Sequence, residues 1–544
     1  MNKNTRIYLP LLIAISVIAG IYLGNHLANQ STPIGLRNFT PPKPDKLSTI
    51  VDLISNAYVD SVATDEIIEE AIPVLLKNLD PHSTYIPASD MQEVNEEMQG
   101  NFGGIGVQFS IHNDTVQVVD VISGGPSSKL GIQPGDRIVQ VNDSLIAGNS
   151  VKNETVLSLL RGEKGTIVNV GIKRKGIRDL IQYEITRGDI PITSVDVSYM
   201  INDSTGLVKV SRFAEKTYAE FMLAVDKIHQ AGAKQIIVDL RGNPGGYLMA
   251  VVKMVNEFLD NGDLIVYTEG FSQARKTYTA TGKAHWADKR VFVLMDEYSA
   301  SASEIFAGAL QDNDKAVIVG RRSFGKGLVQ EQIPFTDGSA LRLTVARYYT
   351  PSGRSIQKPY EDGTTEYYHD IVNRAAHGEF QEADSIQFAD SLKYETKSGR
   401  IVYGGGGIMP DYFVPLDTTG FSDYYSQITQ KSLVYQFAFD YSDKNRENLK
   451  KLTTADDFIR YLRDSKILNQ FISYAESKGV KRNAAGLKTS GKIIETQIMA
   501  YISRNIIGDE GFYPIIKLID KTLLKAIELS EENRSLTQLL TVTK

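Results

Sequence analysis

The chain has 544 residues, of which 42% are hydrophobic and 23% are charged, and its net charge at pH 7 is −6. This length exceeds what one hydrophobic core supports and predicts three or four domains, while the composition argues against wholesale disorder. Cysteine is absent, which excludes disulfides, cysteine nucleophiles and thiolate metal sites. No basic stripe with interleaved aromatic residues supports nucleic-acid binding.

The N-terminus predicts export. Lys3 and Arg6 precede an apolar run over residues 7–23, and no acidic residue occurs before Asp45. We interpret residues 1–30 as an uncleaved signal-anchor with its basic end inside, and a cleaved signal peptide is the alternative. Both place the remainder on the periplasmic side of the cell envelope, and the anchored form predicts attachment to the inner membrane.

Residues 31–95 are predicted to form a linker followed by a helical region, because a proline-rich stretch precedes apolar residues at helical spacing. Residues 96–190 form a β-rich block that opens with a glycine loop before an edge strand. Such a loop can bind a peptide's terminal carboxylate with its N–H groups while the peptide adds as a strand. The candidate peptide-binding residues are Gly103, Gly104, Ile105 and Gly106.

Residues 191–420 alternate between strand and helix patterns, which predicts an α/β layer architecture. Within it, residues 358–400 are polar and charged and are expected to form a surface insertion. Residues 421–544 return to a helical pattern. The fold class predicted for the whole chain is therefore mixed multi-domain α/β.

The segment 291–326 carries the strongest chemical signal. Ser301 lies where a buried strand turns into a helix, and there backbone N–H groups and the helix dipole favour negative charge. That environment suits a nucleophile whose attack creates an oxyanion, although a serine here can also be a helix cap. Lys326, between apolar and glycine neighbours, is a candidate general base because desolvation lowers a lysine pKa; a solvated turn lysine is the alternative.

Two further groups would complete such a site. If residues 327–333 form a strand, Gln330 shares a face with Lys326 and its amide could orient the amine, although it could equally be an ordinary edge-strand residue. The loop 240–246 ends a buried strand and presents glycine N–H groups. We interpret Gly245 or Gly246, with the N–H of Ala302, as an oxyanion hole; a tight strand-to-helix turn is the alternative.

Other motifs are weaker. Residues 320–326 nearly match the sequence motif of a phosphate-binding loop. The next residue, Gly327, lacks the hydroxyl group that would bind Mg²⁺ in that motif. Ser323 and Lys326 match a Ser-x-x-Lys motif, which requires a helix that the flanking glycines disfavour. A Ser-His-Asp triad stays open, with His82 as its first candidate. The seven histidines show no metal-ligand spacing, so neither a metal nor any other cofactor is expected.

Seven motifs occur in order, and together they resemble the C-terminal processing (tail-specific) serine peptidases. They lie at residues 103–107, 125–136, 239–246, 299–304, 324–327, 349–353 and 404–411. The resemblance implies a PDZ domain at 96–190, preceding or inserted in a crotonase/ClpP-like α/β serine protease core at 191–420. The helical regions at 31–95 and 421–544 are predicted from their apolar pattern, and no strong motif of the resemblance covers them.

The same resemblance implies Ser301 as nucleophile, Lys326 as base and Gln330 as the residue that supports the lysine. Substrates would be proteins or peptides with free C-terminal tails, docked by the PDZ domain and cut by this endopeptidase. An adaptor protein and a homo-oligomer are further partners implied by relatives. Two alternatives stay open: a non-catalytic PDZ scaffold with a protease-like body, and an acyl-CoA thioester hydrolase on a crotonase-like fold.

Overall fold

A computed structural model describes residues 46–541, except 113, 123, 149, 283, 387 and 388. The predicted signal-anchor at 1–30 lies outside the described residues. Within the described part of the chain, no helix has both the length and the apolar character that crossing a membrane requires.

Residues up to 75 belong to a unit of their own. Its described part contains the helix Lys46–Ala57 and most of the helix Thr64–Leu76. Asp65 and Glu66 stand in the first turn of the second helix, where the helix dipole favours negative charge.

The β-rich block is a six-stranded antiparallel sheet with two short helices. Its strands are Val107–His112, Thr115–Val121, Arg137–Val141, Ser144–Leu145, Ile167–Lys173 and Ile181–Thr186, and its helices are Pro126–Lys129 and Asn153–Leu160. The first strand of the block, Asn101–Gly104, pairs with its last strand, Gly188–Pro191. This pair brings the beginning and the end of the block together. The strand Val107–His112 lies at one edge of the sheet.

The core of the α/β part is a six-stranded sheet whose spatial order follows chain order. Its strands are Val195–Met200, Thr205–Val210, Gln235–Asp239, Arg290–Met295, Ala316–Gly320 and Tyr412–Phe413. All neighbours are parallel except the first pair. The helices Thr217–Gln230, Leu248–Asn256 and Ala302–Asp312 follow the second, third and fourth of these strands. Parallel strands covered on both faces are almost wholly apolar, as in Ala316–Gly320, where every residue is buried.

This topology positions a site. Because the strands Gln235–Asp239, Arg290–Met295 and Ala316–Gly320 are parallel neighbours, their carboxyl ends meet at one edge of the sheet. The loops that leave this edge carry most of the residues singled out in the sequence. Open α/β sheets bind ligands at this edge.

A second, five-stranded sheet lies beside the core. It contains Thr84–Ile86, Leu264–Glu269, Lys276–Thr279, Leu328–Pro334 and Ala340–Tyr349. Thr84–Ile86 precedes the β-rich block in the chain but pairs antiparallel with Ala340–Tyr349. The helix Met91–Gln99 then leads into the β-rich block.

Residues 358–400 are not a simple surface insertion. They contain the helix Thr364–Ala376, the 3₁₀ turns Ala383–Ser385 and Asp390–Leu392, and the strand Lys393–Glu395, which pairs with Ile401–Tyr403 just beyond the segment. Arg374 of the helix is buried, and its guanidinium donates to Ser323 O at 3.0 Å and to Arg322 O at 2.8 Å. Most of this helix is exposed, as a surface insertion would be, but Arg374 anchors it to the loop 321–327.

The C-terminal region is helical, as its pattern predicted. Its helices are Asp423–Gln430, Leu433–Leu449, Ala455–Asp464, Ile467–Ser477, Ala484–Ile507, Asp509–Ile516, Lys521–Glu531 and Leu536–Leu540, with a 3₁₀ turn at Lys517–Ile519. Most of them enclose a core of their own. The last two instead bury Leu523, Leu529 and Leu539 against the parallel sheet, where they contact Phe292 and Val319.

Candidate active site

Three loops at the carboxyl edge of the parallel sheet are bonded to one another through their backbones. They span residues 240–247, 296–301 and 321–327. The Ala300 N–H donates to Asn243 O at 3.0 Å, and the Phe324 N–H donates to Ser299 O at 3.0 Å. The three loops are therefore fixed relative to one another.

Ser301 stands at the turn from strand to helix with a strained backbone. Its φ of 54° is positive, which is uncommon for a residue other than glycine. A Cβ added at Gly245 would lie 2.7 Å from Ser301 Cβ, so only glycine fits beside the serine. Backbone strain held in place by close packing is typical of functional sites.

The Glu304 carboxylate joins the serine turn to the loop that carries the lysine. Glu304 is completely buried. It accepts four hydrogen bonds, from the N–H of Ser301 at 2.8 Å, the hydroxyl of Ser323 at 2.5 Å, the N–H of Gly325 at 2.7 Å and the N–H of Lys326 at 2.9 Å. Burial raises the pKa of Glu304 to about 7, and the four hydrogen bonds oppose that rise.

Tyr348 adds a second link between the same two residues. Its single hydroxyl proton is donated to Lys326 O, and the same hydroxyl oxygen lies 3.1 Å from Ser301 O. Burial raises the pKa of Tyr348, so the hydroxyl keeps its proton and stays a donor. The backbones of Ser301 and Lys326 are thus fixed from two sides.

The Lys326 amine is half-buried, and its environment favours the neutral form. Burial is the largest cause that lowers the pKa of Lys326 below its usual 10.5, and the nearby Arg342 guanidinium lowers it further. The charges of Glu304 and Asp80 act in the opposite direction. No described residue forms a hydrogen bond or ion pair with Lys326 Nζ. The amine is therefore not held as the cation of a salt bridge.

A single cleft of about 1040 Å³ is lined by five of the six predicted catalytic and oxyanion-hole residues. Its lining includes Ser301, Lys326, Gln330, Gly245 and Gly246. The structure thus brings together five positions that lie up to 85 residues apart in the sequence, from Gly245 to Gln330. Among the described residues, no hydrogen bond joins Ser301 Oγ to Lys326 Nζ.

The predicted oxyanion donors differ in their availability. The Gly245 N–H already donates to Asn243 Oδ1 at 2.8 Å, so Gly245 shapes the loop but its donor is occupied. The N–H of Ala302 is at the first position of its helix, where no intrahelical acceptor exists. Within the described chain, no loop hydrogen bond occupies the N–H of Gly246 or Ala302. The oxyanion hole stays a prediction for these two residues.

Gln330 faces the cleft, although the strand alternation differs from the expected pattern. The strand begins at Leu328, and a bulge between Val329 and Gln330 places Gln330 opposite Thr344. A bulge redirects side chains locally. The Gln330 amide nitrogen donates to Thr344 Oγ1 at 3.3 Å.

His82 also lines the cleft, but it does not form a triad. Its Nε2 is 2.9 Å from the Tyr367 hydroxyl, and Asp80 accepts from the His82 backbone N–H at 2.8 Å instead of from the ring. Burial, reinforced by the charge of Lys326, lowers the pKa of His82 to about 4. Among the described residues, His82 and Ser301 share no hydrogen bond.

The other rival motifs do not form the sites that they suggested. Ser323 is completely buried, and its hydroxyl donates to Glu304 and accepts from the Ile408 N–H at 2.6 Å. Lys326 is followed by the strand Leu328–Pro334, where a phosphate-binding loop requires a helix. In the described part of the chain, no group of three or more His, Asp or Glu side chains could hold a metal ion.

In the β-rich block, the predicted peptide-binding glycines adjoin an open strand edge. Gly104, Ile105 and Gly106 are buried, and Ile105 is part of the block's core. The Gly103 N–H donates to Glu96 Oε1 at 3.3 Å. Among the described strands, Val107–His112 pairs with Thr115–Val121 alone, so its other edge is free of a strand partner.

Sequence reasoning gave no role to Glu304, Tyr348, Asp80 or Thr344. A signal for Glu304 was present, because Ser301 and Glu304 have the spacing of a capping box, in which the third helical residue bonds back to the cap N–H. Tyr348, Asp80 and Thr344 carried no comparable signal. They reach the site through strand pairing over long sequence separations.

We predict that Glu304→Gln lowers the free energy of unfolding by about 2–3 kcal/mol, because an amide accepts at one oxygen only and leaves buried donors unpaired. Chemical denaturation of the two proteins measures the difference. Glu331→Gln is the matched control on an exposed strand position, and it should change the same free energy by less than about 0.5 kcal/mol. Equal stability of Glu304→Gln and wild type would contradict the structural role of this carboxylate.

Comparison with known families gives three matches along the chain. Peptidase family S41 matches residues 204–366, a PDZ domain matches residues 103–185, and a family of unknown function matches residues 424–508. The first two matches lie within the α/β part and the β-rich block. The third lies within the C-terminal helices.

Several curated proteases are similar over most of their length. The carboxy-terminal-processing protease of Bartonella bacilliformis is 35% identical over 63% of this chain and 80% of its own. The carboxy-terminal processing protease CtpA of Bacillus subtilis is 33% identical over 66% of this chain and 76% of its own. Among solved structures, the photosystem II D1 C-terminal processing protease is 27% identical over 57% of this chain and 89% of that one, with a TM-score of 0.33.

The family and the fold class expected from the motifs are thereby confirmed, and the reading as a peptidase prevails over the scaffold and thioesterase alternatives. The chain belongs to peptidase family S41, the serine-type C-terminal processing peptidases, and carries a PDZ domain.

Proposed function

We propose that this chain is an endopeptidase in which Ser301 is the nucleophile and Lys326 the general base. The observation that carries the proposal is the Glu304 carboxylate, which holds the backbone N–H groups of both residues at the wall of one cleft. A nucleophile and a base on separate loops need such a link to keep reacting atoms in range.

The chemical steps follow from these positions. Lys326 Nζ accepts the proton of Ser301 Oγ as the oxygen attacks the substrate carbonyl, and the oxyanion is stabilised by the N–H groups of Gly246 and Ala302. Lys326 then returns the proton to the leaving amine as the peptide bond breaks. A water molecule, deprotonated by the same amine, hydrolyses the acyl-enzyme and restores Ser301.

The electrostatics of the cleft support a neutral lysine. Burial and the guanidinium of Arg342 both lower the pKa of Lys326. The charged side chains that line the cleft in the described structure are Arg212, Lys326 and Arg342, with no aspartate or glutamate among them. A lysine in such surroundings loses its proton more readily than one in water.

We predict that Ser301→Ala and Lys326→Ala each reduce kcat/KM for an unstructured peptide by at least about 10⁴-fold, because each removes a group that acts in the rate-determining transition state. Steady-state assays measure the loss, and a serine-reactive phosphonate should label wild type but not Ser301→Ala. Lys276→Ala, an exposed lysine of the second sheet, is the control and should keep full activity. Full activity in Lys326→Ala would refute the lysine base.

We predict that the rate rises with pH as Lys326 deprotonates, with a midpoint below the ordinary lysine pKa. A neighbouring cation disfavours the ammonium form, so Arg342→Gln should raise the Lys326 pKa and move the midpoint to higher pH. The kcat/KM profile against pH measures this shift. Arg347→Gln, an exposed arginine on the same strand, should leave the midpoint in place. A shift to lower pH in Arg342→Gln would contradict this account.

We further propose that the PDZ domain docks the C-terminal tail of protein substrates. The support is the open edge of the strand Val107–His112, which follows the glycine loop at 103–106 directly. A peptide that adds to this edge would bring its terminal carboxylate to that loop.

We predict that the Ser301→Ala protein binds a peptide with a free C-terminus at least about 10-fold more tightly than its amidated form, because amidation removes the carboxylate charge. Fluorescence anisotropy with the inactive variant separates docking from cleavage. Equal affinity for the two peptides would argue against carboxylate recognition.

The N-terminal sequence supports export as a further part of the proposal. We propose that residues 1–30 anchor the enzyme in the inner membrane with its catalytic part on the periplasmic side, where exported proteins would be its substrates. An adaptor and self-association belong to the same proposal. Protease accessibility of the tagged chain in spheroplasts tests the orientation.

A further inference from the structure

The turn that precedes the strand Thr84–Ile86 is tied to the strand that faces Gln330. The Asp80 carboxylate accepts from the N–H groups of His82 and Ser83, at 2.8 and 2.9 Å, and from the Ser83 hydroxyl at 2.5 Å. Its fourth donor is the Thr344 hydroxyl at 3.0 Å. The Thr344 N–H in turn donates to Ser83 Oγ at 3.0 Å. The turn and the strand are therefore held in one register.

The donor and acceptor roles along this chain of contacts are fixed by chemistry. Its hydrogen bonds lower the pKa of Asp80, although burial opposes them, so the carboxylate is ionised at neutral pH and can only accept. The single proton of the Thr344 hydroxyl is therefore used on Asp80. Thr344 Oγ1 can then only accept from Gln330, which must present its NH₂ group.

The orientation of the Gln330 amide follows. Its nitrogen lies 3.3 Å from Thr344 Oγ1, so its carbonyl oxygen occupies the other end of the planar group. A neutral amine has two N–H donors and one lone pair. A base that directs the lone pair at a hydroxyl needs acceptors, not donors, for its N–H bonds.

We propose that Asp80 and Thr344 are positioning residues that fix which end of the Gln330 amide is available to Lys326. This inference rests on the proposed function, because it assumes that Lys326 is the base and that Gln330 supports it. The bulge between Val329 and Gln330 contributes to this positioning, because it sets Gln330 directly opposite Thr344. With the amide reversed, Gln330 would offer NH₂ to an amine that cannot accept it without losing its lone pair.

The test is a double-mutant cycle between Thr344→Val and Gln330→Leu, with kcat/KM on an unstructured peptide as the readout. Valine has the shape of threonine without the hydroxyl, and leucine replaces the amide at similar size. In the wild-type background, Thr344→Val should lower kcat/KM by about 10- to 100-fold, because the amide loses its fixed orientation. In the Gln330→Leu background, the same change should have no further effect.

Thr344→Ser keeps the hydroxyl and should retain most of the activity. Asp80→Asn is the second variant, because its NH₂ can donate to Thr344, release the hydroxyl proton towards Gln330 and reverse the amide; it should lose activity as Thr344→Val does. The free energy of unfolding of each variant, measured by chemical denaturation, identifies any loss that is due to misfolding.

The outcomes separate this inference from the proposed function. A loss in Thr344→Val of equal size in both backgrounds, or no loss in the wild-type background, would overturn the positioning role while leaving the Ser301 and Lys326 results untouched. Wild-type activity in Gln330→Leu would overturn it as well, since there would be no amide to orient. Full activity in Lys326→Ala would instead show that Lys326 is not the base, which would overturn both the proposed function and the positioning role.

Discussion

The site depends on one buried carboxylate that accepts four hydrogen bonds from two separate loops. The serine turn follows the strand Arg290–Met295 and the lysine loop follows its paired neighbour Ala316–Gly320, but the pairing of these strands does not by itself fix the backbones of Ser301 and Lys326 relative to each other. Glu304 does so by accepting the N–H groups of Ser301 and Lys326 on the same oxygen. Since Glu304 is shielded from water, these bonds are strong, and any donor left without it would remain unsatisfied. The strained backbone of Ser301 is held by the same contacts.

The carboxylates of Glu304 and Asp80 hold other groups in place and do not line the cleft. Glu304 fixes backbone donors, and Asp80 fixes a turn and a threonine hydroxyl. The cleft wall, as far as the described residues form it, has cationic side chains and no acidic ones. The groups left to take a proton there are Lys326 and His82, and the imidazole is bonded to Tyr367. This arrangement makes an amine the group best suited to be the base, because the same cationic surroundings that disfavour its ammonium form leave its lone pair available.

The sequence predicted the parts of the site that follow from local pattern. Buried strands that end in glycine and serine turns indicated where loops would meet, and Ser301, Lys326 and Gln330 do face one cleft. What it could not predict depends on pairing between distant segments. Asp80 forms a hydrogen bond with Thr344, which lies 264 residues away in the sequence. The two meet because Thr84–Ile86 pairs with Ala340–Tyr349, a strand that comes after the β-rich block in the chain. The bulge at Gln330 has no glycine or proline to signal it. Likewise, the polar composition of residues 358–400 concealed a helix whose Arg374 is bonded to the lysine loop.

The choice of lysine as the proposed base explains why so many residues act on one loop. An imidazole has a rigid ring whose single N–H and single lone pair point in fixed, opposite directions, so one acceptor orients it. A primary amine rotates about its last bond and has a flexible stem, so its lone pair is directed only if the backbone and the neighbours of its N–H groups are both fixed. Glu304 and Tyr348 fix the backbone of Lys326. In the proposed mechanism, the Gln330 amide, whose nitrogen donates to Thr344, keeps its carbonyl oxygen as the acceptor for the amine. A lysine site therefore needs a more extensive polar scaffold than a histidine site for the same proton transfer.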